Sequence, residues 1–119
     1  MDASQIILGT MDQWKSGIDD HDPARVGALV TEDAVFQGLR PYGVGRDAVA
    51  DYYNSQPSGM TVTYQILESR SPAANVVHGY LNATFSYVDR APVELAIGVV
   101  LVRFGEQWRV AQYQASQVP

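Results

Sequence analysis

Residues 93–118 constrain the fold of this chain more than any other segment. An apolar run rich in Val, Ile and Leu, without a helix cap, extends from Val93 to Phe104. A short polar break at residues 105–107 follows, and a second run opens on Trp108. Long β-branched runs on either side of a tight turn are typical of a β-hairpin. The segment therefore predicts two long antiparallel strands.

Both faces of the first of these strands are apolar. Alternate residues form one set, Val93, Leu95, Ile97, Val99 and Leu101. The other set is Glu94, Ala96, Gly98, Val100, Val102 and Phe104. An antiparallel strand with two apolar faces is expected to be covered on both sides. We expect the helices of the chain to cover one face and a second copy of the chain to cover the other, which predicts a homodimer through the outer face of the sheet.

The remaining elements precede this hairpin. Hydrophobic periodicity and turn residues predict helices over residues 4–19, 23–30 and 46–56, and strands over 34–38, 60–68 and 76–88. Asp22 before Pro23 is an N-cap signal, so the acidic segment 19–22 is interpreted as a helix start rather than a metal site. Helices first and strands afterwards indicate an α+β fold, and the length of 119 residues indicates a single domain, 1–119.

The charge and the residue types of the chain disfavour several classes of binding partner. Thirteen acidic and eight scattered basic residues give a net charge of −5, which disfavours nucleic acid and anionic membranes as partners. The chain has no cysteine and two histidines, so we expect neither a metal site nor a bound cofactor. No apolar run is long enough for a membrane span and no leader pattern is present, so we expect a cytoplasmic protein.

Two segments carry a resemblance to a known family. Residues 31–36, TEDAVF, and residues 45–53, GRDAVADYY, together with the closing Trp108-Arg109-Val110, resemble the SnoaL-like branch of the nuclear-transport-factor-2-like superfamily. That superfamily includes ketosteroid isomerase and polyketide cyclases, and the resemblance covers nearly the whole chain. It implies a cone-shaped, cystatin-like α+β barrel with three N-terminal helices on a curved, mostly antiparallel sheet. It also implies a pocket between sheet and helices and a dimer through the convex face.

The resemblance argues against the best-known chemistry of the superfamily. The position of the isomerase base falls on Gly38, that of the oxyanion-donating tyrosine on Trp14, and that of the protonated aspartic acid on Val100. The acid/base position of the cyclases falls on Ala115. Tyr53 alone matches, at the place of a supporting tyrosine. An acid, a base and an oxyanion donor are the groups that enolisation needs, so this set is incomplete here.

The same alignment predicts an aromatic cavity that binds a small apolar or aromatic molecule. Its expected catalytic hydrogen-bond donors are Tyr53 and Tyr113, and its expected ligand-binding residues are Trp14, Phe36, Leu81, Phe85, Tyr87, Gly98 and Val100. The alternative is that these side chains fill the core and leave no cavity. Glu94 is expected at the rim with the inward-facing set, and His78 on the outer face of the sheet.

Three functions are compatible with this pattern. The first is a small-molecule cyclase or isomerase of secondary metabolism that acts on an apolar, polyketide-like or terpenoid substrate. The alternative is a non-catalytic ligand-binding or dimerisation module of the same fold, and a third is an association domain with a filled core. An ionisable group with a perturbed pKa inside the cavity would favour the enzyme.

Overall fold

The computed structural model describes residues 1–118. Three helices and six strands follow one another in the order α1 (Ala3–Asp19), α2 (Pro23–Gly27), β1 (Val30–Gln37), β2 (Gly43–Val44), α3 (Arg46–Asn54), β3 (Thr61–Ala73), β4 (Val76–Ser86), β5 (Val93–Phe104) and β6 (Gln107–Gln117). None of these helices has the length and apolar character that crossing a membrane requires, as far as residues 1–118 are concerned.

Helix α1 covers the inner face of the sheet. A capping box between Asp2 and Gln5 satisfies the first backbone N–H groups of the helix. The predicted apolar stripe is buried, with Ile7, Met11, Trp14 and Ile18 each at most 4% exposed. The periodicity of 3.6 therefore predicted the buried face of α1 correctly.

The acidic segment after α1 is a helix end followed by a helix start. His21 has a left-handed backbone, with φ 49°, and its N–H donates to the Ile18 carbonyl at 3.0 Å. The N–H of Asp22 donates to the Gly17 carbonyl at 2.8 Å, which completes a Schellman motif. The Asp22 carboxylate then caps α2 by accepting from the Arg25 N–H. The interpretation of this segment as structural is confirmed.

The six strands form one curved, open sheet in the order β2-β1-β6-β5-β4-β3. Strands β3 to β6 form the predicted antiparallel meander, and β1 pairs in parallel with β6. The predicted α+β class, with helices on one face of a curved sheet, is confirmed. The predicted end of the third strand at residue 68 is wrong, because β3 continues through Pro72 to Ala73 as an edge strand, where the missing proline N–H costs no ladder hydrogen bond.

The β5–β6 hairpin turns at Gly105 and Glu106, and Gly105 takes the left-handed φ of 62° that glycine adopts without strain. The buried face of β5 consists of Leu95, Ile97, Val99 and Leu101, each at most 7% exposed. The expectation that Gly98 and Val100 face the cavity is therefore wrong, since both lie on the outer face. The bulkier, uninterrupted aliphatic set packs against the helices, while the set that contains Glu94 faces outward.

Candidate functional site

A cavity of about 110 Å³ lies between α3, the loop after β1 and the inner faces of β4, β5 and β6. Its lining residues are Gly38, Leu39, Arg40, Tyr52, Tyr53, Gln56, Met60, Phe85, Tyr87, Val93, Leu95, Tyr113 and Ala115. Tyr53 from α3 and the lining residues from β6, Tyr113 and Ala115, are buried and form the floor, whereas Leu39 and Arg40 are exposed and form the mouth. The cavity is thus aromatic at the floor and polar at the mouth.

A chain of polar groups crosses the floor. The Trp14 indole N–H donates to the Tyr53 hydroxyl at 2.9 Å, and both side chains are buried. Tyr113 reaches the same hydroxyl from β6. The Tyr113 ring stacks on Phe36 with ring centroids 4.4 Å apart and planes 13° apart, so packing fixes its position.

The pKa values of both floor tyrosines are raised. Burial raises the pKa of Tyr53, while the hydrogen bonds with Trp14 and Tyr113 lower it in part. That lowering is the effect of donors that stabilise the phenolate oxygen. Burial also raises the pKa of Tyr113, and its interaction with Tyr53 raises it further. Both hydroxyls are therefore protonated near neutral pH, and neither is available as a general base.

Because Trp14 donates to the Tyr53 oxygen, Tyr53 is the acceptor in that bond and still has its own proton to donate. A hydroxyl has one proton to donate and two lone pairs to accept. A donor on one lone pair polarises the O–H bond, which strengthens the hydrogen bond that the hydroxyl donates in turn. Tyr53 is therefore a polarised hydrogen-bond donor at the floor of the cavity.

The mouth is built by the loop after β1 and the end of α3. The Tyr52 hydroxyl occupies the space that a Cβ at Gly38 would need, so a side chain at position 38 would require Tyr52 to move. Burial raises the pKa of Tyr52, a hydrogen bond with the Leu39 backbone lowers it, and Tyr87 and Arg40 act on it more weakly in opposite directions. The mouth thus brings two tyrosine hydroxyls and a guanidinium close together.

Four of the predicted site residues line the cavity: Tyr53, Tyr113, Phe85 and Tyr87. Three others, Trp14, Phe36 and Leu81, are buried in the core behind it, and Trp14 acts on the site through Tyr53. The last two, Gly98 and Val100, lie on the opposite face of the sheet, and a Cβ at Gly98 would meet no atom within 4 Å.

Tyr52, Gln56 and Arg40 were not among the predicted catalytic or ligand-binding residues. The helical period gave the signal for Tyr52, since it lies three residues after the buried Val49 on α3. Gln56 lies just beyond the end of α3, and Arg40 lies in the glycine-rich loop after β1. That loop could gate the mouth of a pocket, but no periodicity places a loop side chain.

No aspartate, glutamate or histidine is among the described residues that line the cavity. Glu94 is exposed on the outer face, so its expected rim position on the inner face is wrong, whereas His78 lies on the outer face as predicted. Gly38 and Ala115, the positions matched to the family's aspartates, do line the cavity. The residues on either side of Val100, Val99 and Leu101, do face inward. Both are aliphatic, so neither supplies the carboxylic acid that the family has on this strand.

Within residues 1–118, no group of three or more histidine, aspartate or glutamate side chains is positioned to bind a metal ion.

Helices packed on one side of a curved, mostly antiparallel sheet, with an aromatic cavity between the layers, define the cystatin-like class of α+β proteins. The family model of the SnoaL-like domain matches residues 7–119, and the chain belongs to this family. The predicted family is thereby confirmed. A search of curated protein sequences found no match.

Solved structures share the fold. A ketosteroid isomerase-like protein from Erwinia carotovora atroseptica is 22% identical, with a TM-score of 0.76 over 97% of this chain and 95% of that one. A nuclear-transport-factor-2-like protein with a cystatin-like fold from Novosphingobium aromaticivorans is 13% identical, with a TM-score of 0.84 over 98% and 82%. A domain of unknown function with a cystatin-like fold from Nostoc punctiforme is 11% identical, with a TM-score of 0.85 over 98% and 78%. At these identities the likeness shows the fold alone.

Proposed function

We propose that this protein binds a small planar molecule in the aromatic cavity and that Tyr53 donates a hydrogen bond to an oxygen atom of that molecule. The observation that carries the proposal is the Tyr53 hydroxyl at the cavity floor, whose oxygen already receives the Trp14 indole N–H at 2.9 Å. Its proton is left for a ligand. Phe85 and Leu95 supply apolar contact for the body of the ligand.

The volume of the cavity limits the ligand to about one ring. A dry cavity of about 150 Å³ holds one benzene molecule, and pockets for drug-sized ligands measure roughly 300–1,000 Å³. The cavity here measures about 110 Å³. A polycyclic polyketide-like or terpenoid substrate is larger than this space and requires the mouth to widen. A one-ring ligand is therefore the upper limit for this space, and its polar groups would lie at the floor or extend into the mouth.

The chemistry of the lining favours binding over acid–base catalysis. The described lining residues offer hydroxyls, one amide and one guanidinium, but no carboxylate or imidazole. Proton abstraction at neutral pH needs a base whose pKa lies near that pH. The raised pKa values of Tyr53 and Tyr113 exclude both hydroxyls from that role.

An isomerase or cyclase is the second candidate, and the polarised Tyr53 hydroxyl favours it. A donor aimed at a carbonyl oxygen stabilises negative charge that develops there, even where the base comes from solvent or from the substrate. The two candidates differ in turnover. Conversion of 3-cyclohexen-1-one to its conjugated isomer, lost in Tyr53→Phe, would establish the isomerase; no conversion together with tight binding would leave a binding protein.

Binding is tested with 4-hydroxybenzamide, a neutral one-ring probe, by calorimetric titration. We expect Tyr53→Phe to weaken binding about 2- to 10-fold, because one neutral hydrogen bond is lost. Tyr113→Phe keeps the Trp14–Tyr53 bond and is expected to weaken binding less. Tyr64→Phe is the matched control, since its hydroxyl bonds to Asp12 at 2.5 Å, away from the cavity. Unchanged affinity in Tyr53→Phe would contradict the proposal.

We also propose that the outer face of the sheet forms a homodimer interface. On β5 this face carries Ala96, Gly98, Val100 and Val102, and Tyr80 beside them on β4 is 46% exposed. An exposed apolar patch at the centre of a sheet face is typical of protein interfaces.

A further inference from the structure

Among residues 1–118, no carboxylate lies within 4.0 Å of Arg40, although the chain carries more acidic than basic residues. Within residues 1–118, the cations that lie within 4.0 Å of a carboxylate are Lys15, Arg25, Arg46, Arg70 and Arg90. The guanidinium of Arg40 instead donates from Nη1 to the neutral Ser55 hydroxyl at 3.1 Å. Among the described residues that line the cavity, Arg40 alone carries a charge.

Local hydrogen bonds hold Arg40 at the mouth. The Gln37 side-chain amide donates to the Gly38 carbonyl at 2.9 Å and to the Arg40 carbonyl, which fixes the loop backbone. Ser55, just after α3, donates to the Tyr52 carbonyl at 2.6 Å and accepts from Arg40. One of the five guanidinium N–H groups is used in this way, so the others remain for a ligand in a fixed fork.

The neighbours of Arg40 at the mouth are neutral donors. Tyr52 and Tyr87 present hydroxyls there, and the Gln56 amide also lines the cavity. Arg90 lies 4.8 Å from the centre of the Tyr87 ring and adds a second cation nearby, paired with Asp89 at 3.5 Å. A guanidinium beside neutral donors favours an anion, and a planar carboxylate matches its fork.

We propose that the ligand of the cavity is a one-ring carboxylic acid, whose carboxylate Arg40 binds at the mouth while the ring occupies the cavity. This inference rests on the proposed function and names the chemical class of its ligand. The mouth supplies the charged contact and the floor supplies the Tyr53 hydroxyl. A neutral ligand of the same shape gains only the contacts of the floor and walls.

The test compares 4-hydroxybenzoate with 4-hydroxybenzamide, which have nearly the same shape and differ in charge. Both are titrated calorimetrically at one pH and one ionic strength. We expect the wild-type protein to bind the carboxylate about tenfold more tightly than the amide. Arg40→Gln is expected to abolish this preference and to weaken binding of the carboxylate more than binding of the amide, because only the carboxylate loses a charged partner. Arg103→Gln removes an arginine that stacks on Trp108 and is expected to keep the preference.

The outcomes separate the two proposals. Equal affinity of the wild-type protein for both probes overturns the carboxylate inference and leaves the proposed function standing. A preference that survives in Arg40→Gln, or is lost in Arg103→Gln, also overturns the assignment to Arg40. If neither probe binds, the proposed function fails and the inference fails with it.

Discussion

Two buried tyrosine hydroxyls decide what the cavity can do. Tyr53 and Tyr113 are each 4% exposed, and burial is the largest cause of their raised pKa values. They remain neutral hydrogen-bonding groups across the pH range in which most proteins are folded. The site is therefore suited to recognising an oxygen atom and not to removing a proton.

Tyr113 makes the stability of the protein sensitive to alkaline pH. Its raised pKa keeps the proton in the folded state, whereas the unfolded chain releases it near the usual value of 10.0. Above that pH the unfolded state binds fewer protons, so the free energy of unfolding falls as pH rises. Between about pH 9 and about pH 11, Tyr113→Phe is expected to remove a loss of stability of roughly 1 kcal/mol in total.

Urea unfolding at about pH 9 and about pH 11 measures this loss. Tyr42→Phe is the control, because Tyr42 is 64% exposed in a loop. An alkaline loss of stability in Tyr113→Phe that equals that of the wild-type protein would contradict the assignment of a buried, protonated hydroxyl.

Helix α1 is joined to the edge strand β3 by two charged side chains. The Asp19 carboxylate accepts from the Val62 N–H at 3.0 Å and from Lys15 Nζ at 2.7 Å. Lys15 also donates to the Val62 carbonyl at 2.7 Å. Together the pair satisfies both backbone groups of Val62 on the sheet edge, where unpaired groups invite association with other strands.

Asp19→Ala is expected to lower the free energy of unfolding by about 1–3 kcal/mol, because the Val62 N–H loses its acceptor. Asp20→Ala is the matched control, since within residues 1–118 the Asp20 side chain bonds to Arg25 alone, on the surface at 2.9 Å, and an exposed pair contributes about 0–1 kcal/mol. Urea unfolding compares the two variants. Equal effects would show that the bond to Val62 contributes nothing.

Elements with a clear period were predictable from the sequence. The 3.6-residue stripe of α1 and the alternation of β4 identified the buried faces, and the glycine turn identified the hairpin. The direction in which each face of β5 points was not predictable in the same way, because both faces are apolar. The resemblance matched an inward-facing position to Val100, which lies on the outer face. The size of the side chains on each face was the feature that could have predicted the buried face of β5: Ile97 and Leu101 pack inward, while Gly98 lies on the outer face.

The cavity itself was only partly predictable. The aromatic residues of α3 and β6 that line it follow from their elements, so Tyr53 and Tyr113 were found. Its volume depends on how closely the rings of Phe36, Tyr52 and Tyr113 pack, with centroids as close as 4.4 Å. Packing at that scale is set by tertiary contacts, and sequence spacing does not contain it.

At the scale of the whole molecule, the outer sheet face predicts self-association. We expect the wild-type protein to sediment as a homodimer at micromolar concentration. Val100→Asp places a charge at the centre of this face and is expected to shift the protein toward monomer, because burying an unpaired carboxylate is costly. Val88→Asp is the same substitution at a position that is 85% exposed in a loop, and it is expected to leave the dimer intact. A wild-type monomer would contradict the interface.

A crystal structure of the protein with 4-hydroxybenzamide tests whether the cavity holds a one-ring ligand with an oxygen atom on Tyr53. We expect the ring between Phe85 and Leu95, with a ligand oxygen at about 2.7 Å from the Tyr53 hydroxyl. A ligand bound elsewhere, or a cavity that stays empty at saturating probe, would contradict it.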